Sequence, residues 1–133
     1  MTQVLTDLPA GHAFAPIRFT VTPEAAATYR EAVGAAALPQ TAGLVPPLAV
    51  AALALGALLK EVTLPAGTLH ASEAVEFRRP VPAGDELECR ARLAQRSVRG
   101  GCVVSVLDSD IVLADEVAVS ARATVLSPSA GSS

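Results

Sequence analysis

The sequence predicts an α+β fold: one long apolar helix wrapped by a five-stranded antiparallel sheet. Two observations carry this. Leu44–Leu59, LVPPLAVAALALGALL, runs sixteen residues without a charge, and a helix apolar on every side must be covered by other elements. Four later segments, ending at Leu126, alternate apolar and polar residues with the period of half-buried strands.

The elements follow in chain order. Phe14–Val21 reads as a first strand, and Pro16 marks it as an edge or a bulge. Thr22 suits a helix N-cap, with Pro23 at the first helical position and Glu24 in the first turn. That helix carries Tyr29 as a packed residue and stops at Gly34. Ala35–Thr41 is a loop, and Gly43 leads into the apolar helix, whose first turn accepts Pro46 and Pro47 because its amides have no intrahelical acceptor. Lys60 near its end suits the helix dipole. Gly56 inside it marks an expected close approach by another backbone.

The strands come next. Thr68–Arg79 places Leu69, Ala71, Glu73, Val75 and Phe77 on the helix-facing side, with His70, Ser72, Glu76 and Arg78 opposite. Glu86–Arg96 follows the turn Pro80–Asp85. Gly100-Gly101 makes a tight hairpin into Cys102–Leu113, and Glu116–Leu126 completes the set. Short connections predict that these four strands are antiparallel neighbours in sequence order. Residues 1–13 form a mobile N-terminal arm holding His12, residues 14–126 a single domain, and residues 127–133 a small, polar, disordered tail.

Composition narrows the function. The chain has 133 residues, 51% apolar and 17% charged, an excess that favours an oligomer hiding further surface. A net charge of −3, no basic run longer than Arg78-Arg79 and 3% aromatic residues argue against nucleic-acid binding. The apolar run is shorter than the ~20 residues of a membrane span, and the N-terminus lacks the basic and apolar regions of a signal peptide. Cys89 and Cys102 are too few for a disulfide framework and lack metal-ligand spacing, so they read as reduced residues of a cytoplasmic protein. No metal and no cofactor is called for.

Several marks together resemble a known family. Gly43 with Val45-Pro46-Pro47 opens the apolar helix; Leu69-His70 and Glu73 lie in the second strand; Arg79-Pro80-Val81 and Gly84-Asp85 follow it; and Val21–Gly34 matches an opening helix. In this order and spacing they resemble the MaoC-like acyl dehydratases of hotdog fold. The likeness is to the N-terminal half of double-hotdog dehydratases and to subunits of heterodimeric hydratases. The resemblance implies a protein that binds or acts on acyl thioesters of coenzyme A (acyl-CoA) or of acyl carrier protein (acyl-ACP). It also implies a homodimer, or a heterodimer with a catalytic MaoC-like subunit.

Active members of that family carry Gly-Asp-x-Asn-Pro-x-His before the long helix, its Asp and His managing the water of hydration. Here the stretch is GAAALPQTAG, Gly34–Gly43, without Asp, Asn or His. Hydration needs a group that takes and returns a proton near neutral pH, and this loop has none.

Candidate site residues are therefore few. Gly43, Leu44 and Val45, at the expected helix start, could bind the thioester carbonyl through unpaired amides, or simply begin a helix. Glu73, on the helix-facing side, could be a desolvated base or a cap for the loop before the helix. His70 could contact thioester or partner, or be a structural histidine. Arg78, Arg79, Arg90, Arg92, Arg96 and Arg99 could meet coenzyme A phosphates, or form a solvated sheet face with Glu86 and Glu88. Three functions follow: a non-catalytic or partner-dependent subunit of an enoyl-thioester hydratase; a self-sufficient (R)-specific hydratase, dehydratase or thioesterase using Glu73 or His70; and a homodimeric binding protein for acyl carriers or hydrophobic ligands.

Overall fold

A computed structural model describes residues 3–32 and 43–129. In order, the elements are β1 (Gln3–Val4), a single 3₁₀ turn (Leu5–Asp7), β2 (Ile17–Thr20), α1 (Pro23–Ala32), β3 (Leu44–Val45) and α2 (Pro47–Leu59). There follow β4 (Val62–Thr63), β5 (Leu69–Phe77), β6 (Val81–Pro82), β7 (Glu86–Arg99), β8 (Cys102–Leu113) and β9 (Glu116–Pro128). Five strands form the main sheet in the order β2-β7-β8-β9-β5, each neighbouring pair antiparallel. The sheet curls over α2, which contacts β2, β5, β8 and β9. The α+β hotdog architecture expected from the sequence is present.

Local signals act where they were expected. Thr22 caps α1: its hydroxyl accepts from the Ala25 amide at 3.1 Å, and Pro23 opens the helix. Tyr29 packs partly buried against the core. The core lies between α2 and the sheet, with Ala49, Val50, Ala54 and Leu58 of the helix against Leu87, Leu93, Leu107, Ile111, Val119 and Val125.

Four expectations need correction. First, the apolar run is not one helix: Leu44 and Val45 pair as strand with Pro82 and Val81, and α2 begins at Pro47. Proline ring geometry fixes the first turn there, so the residues ahead of Pro46 stay extended. Second, α2 is not covered all round. Leu48 is 57% and Leu53 44% exposed, with Ala52 and Gly56 exposed beside them. A Cβ on Gly56 would meet nothing within 4 Å, so among the described residues no backbone approaches it. Third, the strands do not pair in sequence order. β5 pairs with β9, at the opposite side of the sheet from β2 and β7. β6 pairs with β3 and the Gly84 amide donates to the Val21 carbonyl at 2.8 Å, so the chain crosses the helix entrance and β7 begins beside β2. Fourth, the ends are longer than expected. β1 runs parallel to β4, Leu5 and Leu8 are buried, and the His12 carbonyl accepts from the Leu93 amide. At the other end Ser127 and Pro128 extend β9, with Ser127 fully buried; residues 130–133 lie outside the described residues.

The hairpin turns show where the backbone carries cost. Gly100 and Gly101 both take positive φ between β7 and β8. Between β8 and β9 the same left-handed pair is made by Ala114 (φ 50°) and Asp115 (φ 66°). A side chain with a Cβ is disfavoured there by about 1 kcal/mol, whereas asparagine tolerates it. Ala114→Asn should therefore raise the unfolding free energy by about 0.5–1 kcal/mol, read as a higher urea midpoint at unchanged slope; a lower midpoint would refute the strain.

Candidate active site

A cleft of about 380 Å³ opens where α2 begins, lined by Arg30, Leu44, Val45, Pro46, Pro47, Phe77 and Pro80. Its walls come from four places in the chain. The β3–β6 ladder holds Leu44 and Val45 against Val81 and Pro82. The Arg30 guanidinium, from the last turn of α1, donates to the Leu44 carbonyl and ties that helix to β3. β5 contributes Phe77 from its C-terminal end. Among the described residues the lining is apolar except for the guanidinium, as suits the hydrocarbon part of a ligand with one anchored polar end.

The helix start supplies the hydrogen-bonding chemistry. Pro46 is the N-cap and Pro47 the first helical residue, and neither has an amide proton to offer. The Ala49 and Val50 amides both donate to the Pro46 carbonyl, at 3.0 and 3.1 Å. Among the described residues this leaves the Leu48 amide as the helix-start donor without an acceptor. Such a donor at the positive end of a helix dipole favours an oxygen that gains negative charge.

This changes the role of the residues expected at the site. Gly43, Leu44 and Val45 do line or flank the cleft, but they are not the helix start: the Gly43 carbonyl accepts from Ala83 at 2.8 Å, and Leu44 and Val45 belong to the ladder. They shape the wall. The donor is Leu48, one step beyond the prolines, and the two prolines were the signal that could have located it.

His70 and Glu73 are not at this cleft. With ~3.3 Å of rise per strand residue, Glu73 lies about 13 Å and His70 about 20 Å along β5 from Phe77. The structure nevertheless brings the two together. A β-bulge at Ala71 puts His70 opposite Val125 and Glu73 opposite Ala123, both core residues of β9. Cross-strand partners share a face, so His70 and Glu73 both point to the helix side, with Val75 and Phe77. Strict alternation had placed His70 on the other face and Leu69 with Glu73; the extra residue reverses both assignments. Partial burial raises the Glu73 pKa above the usual carboxylate value, partly offset by the nearby His70. The His70 Nε2 lies 3.0 Å from the Ser72 carbonyl across the bulge. The loop that Glu73 might cap falls in residues 33–42, outside the described residues.

Arg90, Arg92 and Arg122 are partnered on the sheet's outer face. A broader trough of about 700 Å³ there is lined by Glu76, Arg90, Arg92, Asp108, Asp110 and Arg122 among others. Asp108 accepts two bonds from Arg122, at 2.6 and 2.9 Å, which hold its carboxyl below the usual range, and it lies 3.6 Å from Arg92. Arg90 pairs with Glu88, Arg78 with Glu76 and Arg79 with Glu116, while Arg96 donates to the Thr6 carbonyl. These pairs satisfy one another in solvent, and this face shows no surplus of positive charge for phosphates. The cysteines are both free, and burial pushes the Cys89 thiol up to about 11, so it is inert as a nucleophile. Among the described residues no helix is long and apolar enough to cross a membrane, and no group of three or more His, Cys, Asp or Glu could hold a metal ion.

Comparison with known proteins agrees with the fold. Residues 9–120 match a family described as the FAS1-like dehydratase domain region. None of the curated proteins matches the chain. Among solved structures, the chain is similar to a MaoC-like dehydratase from Rhodospirillum rubrum, with TM-score 0.74, 20% identity, and 96% of this chain and 97% of that one covered. It is similar to the C-terminally truncated HadBC (3R-hydroxyacyl-ACP dehydratase) complex from Mycobacterium tuberculosis, with TM-score 0.75, 22% identity and coverage of 92% and 99%. The (R)-hydratase from A. caviae involved in PHA biosynthesis gives TM-score 0.70, 19% identity and coverage of 90% and 96%. Match and fold together give one conclusion: the chain belongs to the family of the FAS1-like dehydratase domain region, and it shares the hotdog fold of those solved structures.

Proposed function

We propose that this protein is a hotdog subunit that binds an acyl thioester, of coenzyme A or acyl carrier protein, and depends on a partner subunit for proton transfer. The observation that carries this reading is the chemistry of the cleft at the start of α2. Among the described residues it pairs one unengaged helix-start amide, from Leu48, with apolar walls, and the one ionisable lining residue is Arg30. The Leu48 amide meets the thioester carbonyl, and the apolar walls take the first carbons of the acyl chain. Hydration across the 2,3 bond also needs an acid–base group within hydrogen-bond reach. Among the described residues the cleft lining holds no carboxylate or imidazole, and the Gly34–Gly43 sequence contains none. HadBC, a complex, and the ChsH1-ChsH2 complex from Mycobacterium tuberculosis have this fold, which fits a protein that works in pairs.

The test uses the purified protein with crotonyl-CoA and a longer enoyl-CoA. Calorimetry should show binding, while loss of the enoyl absorbance and release of free thiol should both stay at the uncatalysed rate. Hydration should appear on adding a MaoC-like subunit that carries the Asp and His. Turnover by the isolated protein would overturn the partner-dependent reading, and absence of binding would overturn the thioester reading.

A further inference from the structure

We infer that Arg30 selects the acyl group by receiving a second, distal carboxylate, so that the ligand of the cleft is the thioester of a short dicarboxylic acid. This rests on the thioester reading above and names the kind of acyl chain the cleft holds. The first ground is where the charge sits. Arg30 belongs to the last turn of α1 and is half-buried, yet its guanidinium lines a cleft whose other described walls are leucine, valine, proline and phenylalanine. Hydrocarbon laid against that group strips water from a full charge and returns no bond, whereas a carboxylate returns both charge and bonds. Among the described residues no carboxylate lines the cleft, so an anion there arrives with the ligand. Arg78 and Arg79, between Phe77 and Pro80 in sequence, pair with Glu76 and Glu116 instead.

The second ground is geometry. A planar guanidinium fork meets a carboxylate through two parallel N–H···O bonds, and a fork already held in place loses less freedom on binding. The hold is visible here. An Nη2 donor of Arg30 bonds the Leu44 carbonyl, and Leu44 is itself fixed in the ladder opposite Pro82. That contact also sets a scale. Three residues separate the Leu44 carbonyl from the Leu48 amide, so at most about 11 Å of chain lies between them. With the thioester carbonyl on that amide and the far carboxylate on the guanidinium, an acyl chain of roughly four to six carbons spans the distance. The phosphates of coenzyme A stand a whole pantetheine arm beyond the thioester, outside that span.

Calorimetry with matched pairs tests the assignment. Glutaryl-CoA and pentanoyl-CoA share carbon count and coenzyme, as do succinyl-CoA and butyryl-CoA. Within each pair a carboxylate stands in place of a methyl group. The unmodified protein should bind at least one diacid about tenfold or more tighter than its methyl-ended counterpart, the worth of a charge-assisted hydrogen bond. In Arg30→Gln that ratio should fall to about one, with the methyl-ended thioester bound as well as before or better. Arg30→Lys keeps the charge and loses the fork, so it should retain part of the ratio. A residue that merely ties α1 to β3 would lower both members of a pair together and leave their ratio unchanged. Equal affinities within both pairs for the unmodified protein, or a ratio that survives Arg30→Gln, would overturn the inference while the thioester reading stands. Absence of binding by every compound would overturn the thioester reading and this inference with it.

Discussion

Replacing Leu107 by alanine is expected to lower the unfolding free energy by about 2–5 kcal/mol, the range for a fully buried leucine whose surroundings relax only in part. Leu107 is 0% exposed at the middle of β8, opposite Leu93 on one side and Ala123 on the other. With 3% aromatic residues, the core draws its volume from Val, Leu and Ala, so no large ring is available to fill the hole. Its strand is also central, bonded on both sides, which limits collapse. Urea denaturation should show the midpoint falling at unchanged slope. A change under about 1 kcal/mol would mean the sheet relaxes around the gap.

The second large effect concerns ligand binding. Leu44→Trp is expected to weaken acyl-CoA binding at least tenfold, about 1.4 kcal/mol, with little change in stability. Leu44 lines the cleft and is only half-buried, on a two-residue strand. An indole there fills the space proposed for the acyl chain while leaving the β3–β6 pairing and the Arg30 contact to the backbone carbonyl in place. Calorimetry on the variant beside the unmodified protein checks this. Equal affinity would move the ligand elsewhere, with the outer trough bordered by Arg90, Arg92 and Arg122 as the first place to look.

The sequence was most legible where structure is decided locally. Thr22 and Pro23 announce α1 because capping involves residues three apart, and Gly100-Gly101 announces its hairpin because only the turn's own dihedrals matter. The strands of the outer half of the chain were readable from alternation. Three features were not. An uncharged run does not separate Leu44-Val45 from the helix, since a short buried strand and a buried helical turn look alike in hydropathy. The pairing of β5 with β9 joins residues some fifty apart, chosen by the β3–β6 crossing rather than by any local pattern. The bulge at Ala71 has no residue signature, since alanine neither demands nor forbids one, yet it decides which way His70 faces. Unengaged helix-start amides were expected at Gly43, Leu44 and Val45, whereas among the described residues that amide belongs to Leu48. The prolines mark the helix start as expected, but the chain ahead of them is strand rather than a helical turn.

The parallel pairing of Gln3–Val4 with Val62–Thr63 places the chain's opening residues directly beyond the exit of α2. Leu5 and Leu8, fully or nearly fully buried, plug the end of the core that the helix leaves open. Trimming the chain past Leu8 would uncork that end and let water in beside Leu58 and Val62. A purification handle or fluorescent label that displaces Leu5 or Leu8 should therefore lower the unfolding midpoint.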